Sequence, residues 1–546
     1  MTLETGYVGM PPDYIIVGAG SAGCVLAHRL SANPATSVLL VEAGPEDTSP
    51  SIAMPKGIRR THRDPKLVWR FRVTADAGRG EWRGSFLGGK VLGGTSAINS
   101  MLYVRGQPQD YDDWVALGAP GWGWSAMAPC FKMIEDHHLG ASDTRGAGGP
   151  LHVGSSRARD AVCEAFIQAG VALGLRQKDD LNELDQEGIG FFPTTIEHGR
   201  RVSAARAFLA PIRTRANLTV ATGTLVTKIL FDGRRAVGVE GITRGVRREF
   251  RAGRGVVVCA GALQSPKLLQ LSGVGPAAHL HSLGVPVVCD SPGVGANLRD
   301  HWGLRLQFRL VGAAGHNRWL RGLGLRISRL RYSLFRTGIL SSAPAEVGAF
   351  VKAMPGTRRA DAELHFSPFS VVPNTSAIER QPGLQCTVRS LRPESQGSVG
   401  IRCSDPMASP EIRGNFLTAD YDQRLTVEMV RYVRNLVRQA PLRPYVGEET
   451  FPGPVCRSDS EIVDTCRRLG SPGSHFAGTC KMGQDRMAVV DERLRVRGVS
   501  GLRVVDGSIM PTLVSGNTNG PIMAIGWRAA DLILEEAARD VRSSHR

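Results

Sequence analysis

No Cys-x-x-Cys pair occurs among the ten cysteines of this 546-residue chain, and no compact Cys/His spacing suits a metal ion. Cysteines scattered over such a length read as reduced, mostly buried thiols, which fits a cytosolic setting. No run of about 18 apolar residues exists, so no helix is expected to span a membrane. The opening "MTLETGYVGMPPDYIIVGAG" has no basic segment followed by an apolar core and a cleavage site, so no secretory leader is expected. Aromatic residues make up only 6%, which is little material for the ring cage that a quaternary ammonium group needs. A lysine-rich tail, zinc-finger spacing and an aromatic RNA-binding signature are all missing, although the net charge is +17. Nucleic acid is therefore not the expected partner, and the basic excess is read as serving an anionic ligand or an anionic membrane.

What is present begins with size. The chain is too long for one ordinary core, which predicts two domains, and 42% hydrophobic residues suit a folded protein. Glycine is plentiful, at 65 residues. "DYIIVGAGSAGCVLAHRLS" reads as a strand from Tyr14 to Val17, a Gly18-x-Gly20-x-x-Gly23 turn and a helix through Leu30. Gly18 permits the turn, Gly20 lets the backbone approach a pyrophosphate at the helix N-terminus, and Gly23 allows close helix–sheet packing. "VLLVEAG" gives a second strand ending at Glu42, 19 positions after Gly23, where an acid would hydrogen-bond an adenosine ribose. The motif marks a dinucleotide fold and leaves FAD and NAD unseparated. "GVVVCAGALQSPKLL" (255–269) and "GLRVVDGSIMP" (501–511) read as further strands of the same sheet, and "NGPIMAIGWRAADLILEEAA" (519–538) as a helix.

"GGKVLGGTSAIN" (88–99) and "GALQSPKLLQLSGVG" (261–275) resemble the two signatures of the glucose-methanol-choline (GMC) oxidoreductases. "GVGANLRDH", "HFAGTCKMG", "VVDGSIMP" and "SGNTNGP" complete the family's set in order, so the resemblance spans Tyr14 to about Ala538. It implies an α/β (α+β overall) architecture: a Rossmann-like FAD-binding domain from 12–150, 200–310 and 465–540, and a substrate domain with an antiparallel sheet from 151–199 and 311–464. "ELHFSPFSVV", "LQCTVRSLRPESQGSVGIR" and "PEIRGNF" alternate as strands of the latter would. The implied FAD contacts are Gly18, Gly20, Ser21, Gly23 and Glu42; Gly89, Val91, Gly94, Thr95 and Asn99; Val226 and Ala260; Asp506, Gly507 and Asn517. Where some relatives carry a flavin-linking histidine this chain has Ile98, so FAD is expected to be non-covalent.

The resemblance also implies the chemistry. His475, in His-x-x-Gly-Thr-Cys, is the expected base, and Asn517 the expected donor to the substrate oxygen. Alcohol oxidation removes a hydroxyl proton, which an imidazole can take, and a hydride, which passes to flavin N5. Relatives usually place an aromatic residue before this histidine, whereas Gly473-Ser474 stands here, implying a more open or more polar pocket. The expected enzyme is a dehydrogenase passing electrons to a quinone or artificial acceptor. The alternatives are an aryl or primary alcohol oxidase using O2, a member with non-redox flavin chemistry (lyase or decarboxylase), or a basic membrane-surface or nucleic-acid-binding protein that merely keeps a flavin fold. His301 is read as structural, His137 and His138 as surface residues, and Cys480 as no nucleophile. "WLRGLGLRISRLRYSLFRTG" (319–338) is read as a lid whose apolar face covers the substrate pocket. Its other reading is a basic amphipathic helix at the inner membrane surface of an otherwise cytoplasmic protein.

Overall fold

Two sheets organise the chain, and the polarity of their strands explains where each sits. The computed structural model describes residues 4–5, 10–73, 84–155, 160–373, 375–454 and 456–544. The first sheet is parallel, in the order Leu218–Ala221, Val38–Val41, Tyr14–Val17, Gly255–Val258, Leu502–Val504. Its three central strands, YIIV, VLLV and GVVV, are buried at every position, as sheets covered on both faces must be. Helix Ser21–Leu30 lies on one face, and helix Asn519–Ser544 packs against it. The N- and C-terminal parts therefore share one core, as their strand patterns predict.

Gly23 shows why the turn is built from glycine. A Cβ there would sit 1.9 Å from the Gly18 carbonyl oxygen, so only hydrogen lets the helix close onto the strand.

The second sheet is antiparallel, in the order Val446–Phe451, Trp302–Leu310, Gly383–Ser390, Ala362–Ser367, Val347–Val351, Gly188–Phe191. Its strands alternate. Leu304, Leu306 and Phe308, then Leu384, Cys386 and Val388, then Leu364 and Phe366 face a buried core with helices Ala161–Ala172, Asp420–Leu436 and Asp459–Leu469. Arg305 and Gln307, Thr387 and Arg389, Glu363 and His365 take the other face. Strand Trp302–Leu310 hydrogen-bonds into this sheet, and Ser471–Pro472 pairs with it. The second sheet thus starts before residue 311 and receives a strand from beyond 464.

Two expectations are corrected. Helix Gly322–Phe335 is no lid: Leu323 (72% exposed), Ile327, Leu330 and Leu334 (64%) face outward, and Ser328 and Tyr332 are its buried side chains. Tyr332 anchors it by donating to the carbonyls of Gly199 (3.0 Å) and Ala53 (3.3 Å). The leucines were on one face, but the helix turns its polar and aromatic face inward. His137 is also not at the surface. It is 4% exposed, stacked on exposed His138 at 5.0 Å and facing Asp180, and burial pushes its imidazole down to about 4.

Gly23→Ala is expected to lose about 1–3 kcal/mol of stability from overpacking, read as a lowered urea midpoint at unchanged slope.

Candidate active site

One elongated cavity runs from the glycine turn at Gly18 and Gly20 to His475 and Asn517. Its first end suits a pyrophosphate. Helix Ser21–Leu30 begins at Gly20 with no side chain capping its free N–H groups, and a Cβ on Gly20 would meet no protein atom within 4 Å. The backbone donors there are open to the cavity. Ser21 donates to Asn519 Oδ1 at 2.7 Å, tying the turn to the C-terminal helix. Glu42 accepts from the amides of Ala19 (2.9 Å) and Gly44 (2.8 Å), and burial raises its carboxyl to about 7.

The middle of the cavity is lined by Gly89, Gly94, Thr95, Asn99, Val226 and Ala260. The Gly89 amide donates to Thr95 Oγ1 at 3.1 Å, and Asn99 Oδ1 accepts from Arg201 at 2.8 Å. Asp506 and Gly507 also line it. The Asp506 carboxylate accepts from the Gly261 amide, Ser265 Oγ and the Ser508 amide at 2.6–2.8 Å, so it clamps two crossover turns and caps the short helix Gly507–Ile509 at once. Gly23 and Val91 do not line the cavity. Gly23 is consumed by helix packing, and Val91 is fully buried in a cluster with Ile52, Leu67, Val68, Ala97 and Ile98. The expectation of a direct Val91 contact is corrected accordingly. Ile98 borders the cavity with an alkyl side chain that has no atom able to form a bond to a flavin.

At the far end the His475 ring is held from both sides. His301 Nε2 lies 2.9 Å from the Leu391 carbonyl, which can only accept, so Nε2 carries the proton. Burial pushes His301 down to about 4, so its Nδ1 is an unprotonated acceptor. That Nδ1 lies 2.8 Å from His475 Nδ1, which must therefore be the donor. The proton of neutral His475 is thus on Nδ1, and its Nε2 lone pair faces the Asn517 amide nitrogen at 3.0 Å. Burial first, then His301, Arg389 and His365, hold the His475 imidazole well below its ordinary value near 6.5. His475 is poised neutral, as a base has to be.

The loops carrying the two side chains are pinned independently. The Asp300 carboxylate accepts from the His475 amide (2.8 Å) and the Ser474 amide (3.1 Å). A Cβ on Gly473 would come within 2.7 Å of His475 Nδ1, so the small residues before the histidine make room for its ring. On the Asn517 side, Ser515 is bound through its amide (2.7 Å) and hydroxyl (2.9 Å) to Asp110, and its carbonyl accepts from Gln186 at 2.9 Å. Cys480 is fully buried with its thiol raised by burial, which suits packing and not nucleophilic attack.

Sequence reasoning paired His475 with Asn517 but missed His301 as the ring's partner, Asp300 as its anchor, and His365 and Arg389 on the cavity wall. The "RDH" run was visible; its neighbour lies 174 residues away, and no local spacing reports that contact.

Two family models described as GMC oxidoreductase match residues 12–303 and 393–526. An alcohol dehydrogenase (acceptor) of Pseudomonas putida is 38% identical over 96% of both chains. An oxygen-dependent choline dehydrogenase of Sinorhizobium fredii is 40% identical, again over 96% of each. Among solved structures, pyridoxine 4-oxidase from Mesorbium loti superposes with a TM-score of 0.86 at 31% identity, over 95% of this chain and 98% of that one.

His301→Ala is expected to lower kcat by about ten- to hundredfold with KM little changed, the scale on which a histidine depends on its orienting partner. His301→Gln, whose amide oxygen can accept from Nδ1, should recover part of the loss. In the unsubstituted enzyme the acid limb of kcat/KM should fall below the ordinary imidazole value near 6.5, because a lowered pKa keeps the base unprotonated further into acid.

Proposed function

The chain belongs to the GMC oxidoreductase family, and on that premise we propose that it oxidises the CH–OH group of a small or medium-sized alcohol to an aldehyde or ketone. The glycine-lined cavity would hold FAD non-covalently, and when bound FAD supplies the acceptor for the hydride. The open amides at Gly20 and the uncapped start of helix Ser21–Leu30 would take its pyrophosphate, and Glu42 would accept from its ribose hydroxyls.

The reading is carried by one observation: the His475 Nε2 lone pair and the Asn517 amide meet at 3.0 Å on the wall of that cavity. A substrate hydroxyl there donates its proton to Nε2 and accepts from Asn517 as negative charge grows on oxygen. His301 receives the Nδ1–H of the imidazole throughout, so the ring keeps one orientation in both protonation states.

Dehydrogenase chemistry with a membrane quinone as acceptor is favoured by the outward face of helix Gly322–Phe335. Trp319, Leu323, Ile327, Leu330, Leu334 and Phe335 are exposed, and Arg321, Arg326, Arg329, Arg331 and Arg336 flank them with no acid between 319 and 338. An exposed apolar row bordered by cations fits the headgroup region of an anionic phospholipid bilayer. No helix among the described residues is long and apolar enough to cross a membrane, so the contact is peripheral.

An anaerobic panel of alcohols should bleach the flavin with at least one member, and His475→Ala should slow that reduction by about 10²–10⁴-fold. Unchanged single-turnover reduction in the variant would end the assignment of the base, and stoichiometric hydrogen peroxide in air would favour the oxidase. The protein should co-sediment with phosphatidylglycerol vesicles and not with phosphatidylcholine ones. Leu330→Glu together with Leu334→Glu should abolish this, and equal binding by that variant would remove the membrane contact.

A further inference from the structure

The polar face of the second sheet carries a cation that the protein leaves uncompensated at close range. Arg389 lines the cavity beside His475, and its Nε and Nη1 are buried with no hydrogen-bond partner. Among the described residues no carboxylate lies within ion-pair distance of it. Glu363 stands directly across from it in register, but its carboxylate lies against His365 Nε2 at 3.0 Å, an ion-pair contact without hydrogen-bond geometry. Glu363 is fully buried beneath and does not reach the cavity, so the surface offered to a ligand is Arg389 and His365. Asp300, the other acid acting on Arg389, is engaged by two backbone amides of the histidine turn, and burial raises it to about 7.

The strand on the opposite side makes room for this guanidinium. Gly303 is the register partner of Arg389, and a Cβ there would fall 2.6 Å from Arg389 Cγ. A buried guanidinium with free donors is costly unless something completes it, and its planar fork matches a carboxylate.

We propose that Arg389 binds an anionic group of the substrate, so that the alcohol oxidised is a short hydroxycarboxylate and not a quaternary ammonium alcohol or an apolar one. The carboxylate accepts from the cavity-facing edge of the Arg389 guanidinium, with His365 beside it, while the carbinol hydroxyl lies between His475 Nε2 and Asn517. Both ends of the molecule are then fixed, one by charge and one by the reacting groups. The assignment rests on the reading of His475 and Asn517 as the reacting end of the cavity. It also explains how a basic wall is tolerated beside the base: Arg389 helps to keep His475 unprotonated, and the arriving carboxylate offsets that charge only when substrate is bound.

The test uses the purified holoenzyme and the visible absorbance of its flavin. Propanoate and benzoate, which carry no oxidisable hydroxyl, should perturb the spectrum saturably, whereas propanamide and benzamide should not. Arg389→Gln should weaken carboxylate binding by roughly ten- to hundredfold, the scale of a lost charge-assisted hydrogen bond. Arg389→Lys should retain part of it. In turnover, the ratio of KM for a hydroxycarboxylate to that for its amide should rise by a similar factor in Arg389→Gln. A wild-type spectrum unmoved by either carboxylate, equal carboxylate affinity in Arg389→Gln, or choline perturbing the spectrum more tightly than the carboxylates would overturn the proposal. The titration needs no turnover. Carboxylate binding to an enzyme that oxidises no alcohol would sink the oxidation reading and leave the anion site standing; alcohol oxidation without carboxylate binding would do the reverse.

Discussion

The hydrogen bond between His301 Nδ1 and His475 Nδ1, 2.8 Å long, is the constraint on which the site depends. An imidazole has two nitrogens and, when neutral, one proton; a base is useful only if the proton is on the nitrogen away from the substrate. The Leu391 carbonyl decides this at one remove: because it can only accept, His301 must donate to it, and because His301 is then an acceptor on its other side, His475 must donate inward. A backbone carbonyl at the end of a sheet strand thereby fixes the chemistry of a ring two contacts away. Burial completes the arrangement at His301, since charging that fully buried ring would strand a cation away from water.

Holding the ring requires bringing remote pieces of chain together, and the two sheets do this in different ways. The parallel sheet joins strands from 14 to 504, so the glycine turn, the Asp506 clamp and the C-terminal helix meet at one edge. The antiparallel sheet delivers Trp302–Leu310 right after His301 and receives Ser471–Pro472 just before His475. That pairing brings the two histidine segments into contact. The Gly473 amide donating to the His301 carbonyl at 2.7 Å continues the same pairing to the rings themselves.

What could be read from the sequence follows from this geometry. The glycine turn, Glu42 and the parallel strands are set by local rules of spacing and burial, and the structure reproduces them. His475 and Asn517 were legible because each sits in its own short motif. The errors have a common physical source. A row of leucines at helical spacing says that one face is apolar and is silent on what covers it, so helix Gly322–Phe335 was read as a lid although Tyr332, with its hydroxyl bound to two carbonyls, is what points inward. Val91 lies among residues that border the cavity, yet its side chain turns away into packing. His137 looked like a surface residue beside another histidine, but strand Glu135–His137 alternates and buries its last residue, and exposed His138 follows the strand. His301, Asp300 and Arg389 acquire meaning only through partners distant in sequence.

Alternation in the second sheet also ties recognition to stability. Leu364 and Val388 face the core because Glu363, His365 and Arg389 take the opposite face, where His365 and Arg389 line the cavity; the period of two permits nothing else. A slip of one residue in either strand would bury a guanidinium among leucines and put aliphatic side chains over the reacting groups, so selection for a dry core keeps the cavity wall polar. Groups set on paired strands keep their positions more tightly than groups on loops, which suits a wall that must hold a substrate against a base within a fraction of an ångström. Substrate preference among chains of this architecture is then expected to vary through which side chains occupy these inward positions, with the strand register unchanged. Gly303 facing Arg389 is one such matched pair, since a larger residue at either place would have to displace the other.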